Sequence, residues 1–378
     1  MPLQKAILYT TLFKAIMKIV LNLLRIIVGV LFIFSGLIKA NDPLGLSYKM
    51  EEFFEVLHLT FLSPYSLAFS VLMNAFEIIA GVAVLLGYRM RLFSFLLLLL
   101  ILFFTFLTGF ALYSGKIREC GCFGDCIKLS AEGTFYKDVA LLVMILVIFI
   151  YRDRIQPLFS AKAVGTLMIL FTVFSFGIQW YTLRHLPFVD CLAYKVGNNI
   201  PDKMKLPPGA TPDVFETVLI YEKNGEKKEF TMENYPWQDS AWVYVDRKDK
   251  LVKKGNAEPA IKDFILTDFD GVNQTQVILT ELKPVYLFLV KNVDEAGSGW
   301  DAKMRGIQEK AAGSGALIYG ITASGKEATD AFKQQHGLNF PFVQMDGVAI
   351  KTAGRSNPCL ILLEKGTIKG KWHYNDIP

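Results

Sequence analysis

Apolar residues crowd the first half of the chain in long unbroken runs. After residue 182 they give way to short alternations of apolar and polar positions. A helix needs about 20 residues to cross a hydrocarbon core. Stretches near 19–38, 66–87, 93–114, 136–151 and 163–181 meet or approach that length and predict five spans. The fourth is the shortest, although Leu141 to Tyr151 is unbroken by charge. The first follows Lys5, Lys14 and Lys18 as a signal peptide would, but it is too long for an h-region, carries Arg25 and lacks a small-residue cleavage site. It reads as an uncleaved span.

The spans carry polar residues in register. Asn22, Arg25, Gly29, Phe32, Gly36 and Lys39 recur at three and four residues in the first, and Ser70, Asn74, Glu77 and Gly81 do so in the second. Each set lies along one helical face, and the two faces are expected to meet. Glu77 falls near the bilayer midplane, where an unpaired charge costs about 2.5–3.5 kcal/mol, so a partner is expected. Arg25 is the best candidate, with glycines nearby to allow close approach. Arg25, Glu77, Lys39 and Asn74 thus form a candidate intramembrane polar site, read either as a register-fixing ion pair or as part of a proton or quinone site.

Beyond the spans, Pro187, Pro201, Pro207, Pro208 and Pro212 mark residues 187–212 as an extended linker. Residues 213–274 open with strands, Val218 to Tyr221 and Glu229 to Met232 about Asn224-Gly225, then Trp242 to Val245. From 275 to 378 the rhythm changes. Strands at Val285–Val290, Ala316–Ile321 and Phe342–Gln344 alternate with helices at Trp300–Ala312, Lys326–Gln335 and Ile350–Gly354. Cys359–Leu363 and Thr367–Trp372 then close a hairpin at Lys365-Gly366. This is an α/β sandwich.

Composition agrees with a membrane protein: 52% of 378 residues are hydrophobic and 30 are Phe. Lys5, Lys14, Lys18, Arg89, Arg91, Arg152, Arg154 and Lys162 gather on one side of the predicted spans in little connecting sequence, which makes that side cytoplasmic. Five spans then place residues 40–65, the loop near 120 and everything past 182 outside, in the periplasm of a bacterial host. The net charge of +5 is accounted for by the cytoplasmic flanks and implies no nucleic-acid surface. There is no phosphate-cradling glycine loop and no serine triad string.

Three of five cysteines, Cys120, Cys122 and Cys126, fall in the string CGCFGDC between the third and fourth spans. Cys120 and Cys122 are near enough in sequence to close a small strained ring, and strained disulfides exchange readily. Gly121 and the Phe123-Gly124 turn leave the backbone free to form it, with Cys126 placed to act as a resolving thiol. The alternative is a static bridge that pins the loop, with Cys126 free or paired to Cys191. No His lies near and structural zinc wants four ligands, so no metal site is expected.

The run RIIVGVLFIFSGLIK from Arg25 to Lys39, then Asp42 and Pro43, Glu77 with Gly81, and CGCFG resemble the DoxX/MauE superfamily of small bacterial four-helix membrane proteins. The resemblance covers residues 20–155. It implies a four-helix membrane domain over 19–155, preceded by a cytoplasmic segment 1–18 and followed by a fifth span within 156–186. It also points toward maturation of disulfide-rich exported proteins, as with MauE, or toward quinone chemistry, as with DoxX. The order of elements past 275, with Pro358 opening the penultimate strand, resembles the thioredoxin fold and implies a cis bond before Pro358. A thioredoxin-type enzyme needs Cys-x-x-Cys at the first strand-to-helix junction, and here that junction reads KNVDEAGSGWDAK. The domain therefore reads as a docking module that uses the loop around Asn357 and Pro358, with Cys359 a buried hydrophobe.

Two functions remain open. One is a membrane thiol-disulfide component at the CxC loop, exchanging electrons with an exported thiol protein or with a quinone held among the spans. The other is a non-catalytic scaffold of the bacterial inner membrane whose cysteines brace the loop.

Overall fold

The computed structural model describes residues 2–114, 121, 124–127, 129–211, 214–223, 225–236, 239, 241–253, 255 and 258–378. The chain divides into two compact units, Met1–Leu192 with Trp372–Ile377, and Ala193–Lys371 with Pro378.

The first unit is helical: α1 (Pro2–Asn41), α2 (Pro43–Val56), α3 (Ser66–Leu86), α4 (Met90–Ser114), α5 (Ala131–Ile150) and α6 (Ala161–Thr182). Among the described residues, five helices are long and apolar enough to cross a membrane: Leu12–Asn41, Thr60–Leu86, Met90–Ser114, Ala131–Ile150 and Ala161–Thr182. Local chemistry sets their ends. Ser130 caps α5 by accepting from the Gly133 N–H, and Gly87, at φ 72°, closes α3 in the left-handed region. The α5 start lies five residues before the expected one at 136, which adds Ala131 to Phe135 to the helix. The fourteen-residue helix α2, capped by Asp42 with Pro43 at its first position, was not anticipated.

The polar faces of the first two spans do meet. A Cβ on Gly29 would stand 2.9 Å from the Gly81 carbonyl oxygen, and one on Gly81 would stand 2.8 Å from that of Gly29. Only hydrogen side chains permit this backbone approach. Ser70 Oγ donates to the Pro43 carbonyl at 2.7 Å, and the Ser47 and Ser66 hydroxyls share a hydrogen bond of 2.9 Å, so α2 is tied to α3.

The second unit holds two sheets. Strands β1 (Val214–Lys223), β2 (Glu226–Thr231) and β3 (Val243–Lys253) form an antiparallel sheet in the order β2-β1-β3. The hairpin turn falls where expected, although Asn224 lies outside the described residues. Strands β4 (Val285–Val290), β5 (Leu317–Thr322), β6 (Phe342–Gln344), β7 (Cys359–Glu364) and β8 (Thr367–His373) form the second sheet in the order β6-β5-β4-β7-β8. In it β4, β5 and β6 run parallel and β7 pairs antiparallel to β4. Short helices α7 (Ile200–Lys203) and α8 (Thr275–Leu279) precede the sheet, and α9 (Asp301–Ser314), α10 (Lys326–His336) and α11 (Gly347–Ala353) lie between its strands. This order and connectivity make the domain thioredoxin-like. Every residue of β4 is buried, and Trp300, wholly buried, packs on Phe288 and Phe332.

Part of the expected linker is core instead. Tyr194 and Ile200 are buried with Phe264 and Ile368, and the Gly197 and Ile200 N–H groups donate to the carbonyls of Ile368 and Gly366. The prolines of this stretch allow an extended path that lies against the sheet.

Candidate functional site

The expected partner of Glu77 is corrected. Lys39 Nζ lies 2.5 Å from Glu77 Oε1, with both side chains buried, and Ser35 Oγ donates to Oε2 at 3.0 Å. Arg25 instead donates from Nη1 to the Gln156 carbonyl at 2.9 Å, which ties α1 to the loop after α5. The reason lies in side-chain direction. Every Cα–Cβ bond of a helix tilts toward its N-terminus. Helix α1 runs antiparallel to α3, with Gly29 level with Gly81 and Gly36 level with Asn74 and Ile78. Lys39, near the C-terminal end of α1, therefore points back along the bundle, and Glu77 points toward the end of α3 where Lys39 lies. Arg25 and Glu77 point apart.

Two residues missed in the sequence complete the cluster. Asp138 is 1% exposed, and Lys137 Nζ lies 2.8 Å from its Oδ1. Both residues line a cavity of about 30 Å³ together with Ser35, Lys39 and Glu77. Both fall inside the run expected from 136, but periodicity alone assigns no partner to an acid and a base in its first turn. Asn74 belongs elsewhere: its Nδ2 donates to Gln179 Oε1 on α6 at 3.1 Å, and Gln179 Nε2 donates to the Val71 carbonyl.

Lys39 also lines a second, far larger cavity of about 620 Å³. Its walls come from α2, α3 and α4, chiefly Phe53, Phe69, Phe76, Phe103 and Leu107, with Lys39 and Lys49 the charged groups. Leu72 and Phe106, also in the wall, are 57% and 61% exposed on the apolar surface of the bundle, so the cavity opens sideways between α3 and α4. Gly121 forms part of the wall, packed against the stem of Lys49.

Gly121 stands between Cys120 and Cys122 in sequence, and both cysteines lie outside the described residues. Cys126 is bonded to Cys191. The expectation of Cys126 as an available resolving thiol is corrected accordingly: it enters exchange only if that bond opens. A small crevice beside the bridge is lined by Lys39, Asp42, Asp125 and Asp190.

In the C-terminal domain the Asn357–Pro358 bond is cis. The Asn357 carbonyl accepts from the Gly297 N–H at 2.7 Å, and Asn357 Nδ2 donates to the Asn292 carbonyl at 2.9 Å. The loop around Asn357 and Pro358 thus rests on the β4–α9 junction, a segment without cysteine. Cys359 is fully buried in the sheet, opposite Leu289.

The family model for the methylamine utilisation protein MauE matches residues 17–151, and that of a domain of unknown function, DUF8463, matches residues 215–254. A search of the curated proteins found no match. Among solved structures, a secreted Mycobacterium tuberculosis disulfide oxidoreductase homologous to E. coli DsbE is 20% identical, covering 28% of this chain and 80% of its own, with a TM-score of 0.23. Xanthomonas campestris peroxiredoxin Q is 13% identical, covering 30% and 82%, also at 0.23. At these values the neighbours carry no argument about chemistry, and the fold rests on the strand order above. The matched segment holds four of the five long apolar helices and both buried acids of the cluster. Residues 17–151 are thus similar to the MauE family, within a membrane protein that also carries a thioredoxin-like domain.

Proposed function

We propose that the chain is a membrane thiol-disulfide redox component in which Cys120 and Cys122 pass electrons to a lipophilic quinone held in the 620 Å³ cavity. One observation carries the reading: the residue between the two cysteines forms part of the wall of an apolar cavity whose charged groups are Lys39 and Lys49. The volume lies within the roughly 300–1,000 Å³ of small-molecule sites. The sideways opening suits a ligand that arrives through the bilayer. Lys39 Nζ supplies a donor for a carbonyl oxygen, and the aromatic wall suits a ring and its isoprenoid tail.

The chemistry balances. The two thiols lose two electrons and two protons as one S–S bond forms, and the quinone gains two electrons and two protons at its carbonyl oxygens. A partner dithiol resets the loop by exchange. The thioredoxin-like domain, without thiols at its junction, serves as a docking module for that exported partner through the loop at Asn357 and Pro358.

A bacterial inner-membrane location with the C-terminal domain periplasmic is part of the proposal. It is supported by the Lys and Arg distribution and by the Cys126–Cys191 bridge, which needs an oxidising compartment. The bridge also favours a second reading, a scaffold in which the cysteines only brace the loop.

The test uses the full-length protein, reduced under conditions that leave Cys126–Cys191 closed and reconstituted in lipid discs with decylubiquinone. Loss of two thiols per quinone reduced, abolished in Cys120→Ser with Cys122→Ser, is the expected result. A thiol count that decylubiquinone never changes overturns the redox reading and leaves the scaffold.

A further inference from the structure

Lys39 and Phe104 form a partition, since both line the large apolar cavity and the 30 Å³ cavity behind it. Into that smaller space faces Asp138, 1% exposed, neither of whose carboxylate oxygens has a hydrogen bond. Lys137 Nζ approaches one oxygen, but the pair is not aligned as donor and acceptor. Buried polar groups are met by a partner, because leaving one unmet costs about 1–3 kcal/mol, and more when it is charged. The cavity has room for a water, which needs at least about 10–15 Å³, and it offers that water Asp138, Glu77 and Lys39 as partners. The charged groups that face Asp138 are Lys39 from α1, Glu77 from α3 and Lys137 from its own helix; α4 adds only Ile101 and Phe104. A buried carboxylate with no hydrogen bond at either oxygen, one ion-pair neighbour and a water-sized chamber beside it is a suitable station for a proton.

We propose that Asp138 exchanges protons with the large cavity through a water in the small one and the Glu77–Lys39 pair. This rests on the quinone reading above. Lys39 Nζ holds one carbonyl oxygen of the ligand by a hydrogen bond. As that oxygen gains electrons from the thiols, Asp138 releases a proton to the water, Glu77 carries it to the Lys39 end, and Asp138 is reprotonated from the aqueous side at Lys137. The protons lost by the two thiols leave to water, one proton reaches the oxygen at Lys39 by way of Asp138, and the other carbonyl oxygen takes its proton from water on the loop side, so the overall count is unchanged: two from sulfur, two to oxygen. Ser35, which donates to the second Glu77 oxygen, is a positioning residue for the pair.

The experiment compares wild type, Asp138→Asn and Asp138→Glu at full length in lipid discs, with closure of Cys126–Cys191 as the check on folding. Infrared difference spectra on adding decylubiquinone without thiol turnover are expected to show a carboxyl band shift that Asp138→Asn lacks. Dithiol-driven quinone reduction is expected to fall by about 10²-fold in Asp138→Asn, with a flattened pH profile, and to recover largely in Asp138→Glu. An Asp138→Asn protein with wild-type rate and pH profile, or a spectrum without any Asp138-dependent band, overturns the inference alone. A wild-type protein inert toward decylubiquinone overturns the quinone reading and this inference with it.

Discussion

Removing one partner of the Lys39–Glu77 pair separates bracing from chemistry. The pair is fully buried, at 3% and 1% side-chain exposure, with the second Glu77 oxygen held by Ser35. Glu77→Leu strands the Lys39 ammonium among Phe104 and Leu31, where among the described residues no other carboxylate hydrogen-bonds it. Breaking a buried pair in this way costs about 3–5 kcal/mol, whereas replacing both partners by apolar residues of similar volume is often neutral or stabilising. The single variants Glu77→Leu and Lys39→Met should therefore each lose about 3 kcal/mol, and the double variant should lose less than ~1 kcal/mol. Reversible SDS unfolding in mixed micelles, followed by helical circular dichroism, measures all four corners of the cycle. The double variant should also fail to reduce decylubiquinone although it is stable, because the donor in the cavity wall has gone. Single-variant losses below about 1 kcal/mol, or a double variant as unstable as the sum, would refute the assignment of the pair. A double variant that is stable and fully active would leave the pair a brace and nothing more.

Three further outcomes test the C-terminal domain and its packing. A Cβ at Gly320 would meet the Phe342 ring at 2.4 Å, so Gly320→Ala should cost about 1–3 kcal/mol of that domain's stability; unchanged thermal unfolding would contradict the packing of β5 on β6. Lys365, at φ 50°, precedes Gly366 in the β7–β8 turn, and Lys365→Asn should stabilise it by about 0.5–1 kcal/mol; a lower melting temperature would contradict the left-handed turn. Asp268 is held below the usual carboxylate range first by the Val272 N–H and then by the Gln274 side chain. A depressed folded-state value means stabilisation present above the unfolded value of about 3.9 and lost as pH falls through the folded one, so Val272 amide protection should decline in acid and Asp268→Asn should remove that dependence. Protection that is flat from about pH 5 to about pH 2.5 would contradict it.

The long elements were legible because each follows from one periodicity. Five apolar runs became five spans, and alternation past 285 became strands within a residue or two of their observed ends. The Gly29–Gly81 contact was legible as well, since small residues in register on two spans have few other uses. Spacing alone did not carry the direction in which side chains lean. Arg25 and Lys39 share a face of α1, and only the antiparallel arrangement of α1 and α3 decides which one reaches Glu77. Asp138 lies inside the expected fourth run and escaped for a related reason: its place at a cavity shared with Glu77 and Lys39 depends on how α5 packs on α1. Helix α2 lacks the length of a span and the clean period of a surface helix, and its role as a cavity wall appears only once α3 and α4 are packed beside it.

The Cys126–Cys191 bond carries a consequence for how the protein is put together. Helices α5 and α6 lie between the two cysteines, 65 residues apart, so the chain must cross the bilayer an even number of times before the sulfurs share a compartment. If either helix failed to insert, the sulfurs would face opposite aqueous phases and the bond could not form. Its closure therefore records a parity, and it acts as a late seal on assembly that becomes available only after the last crossing has been completed.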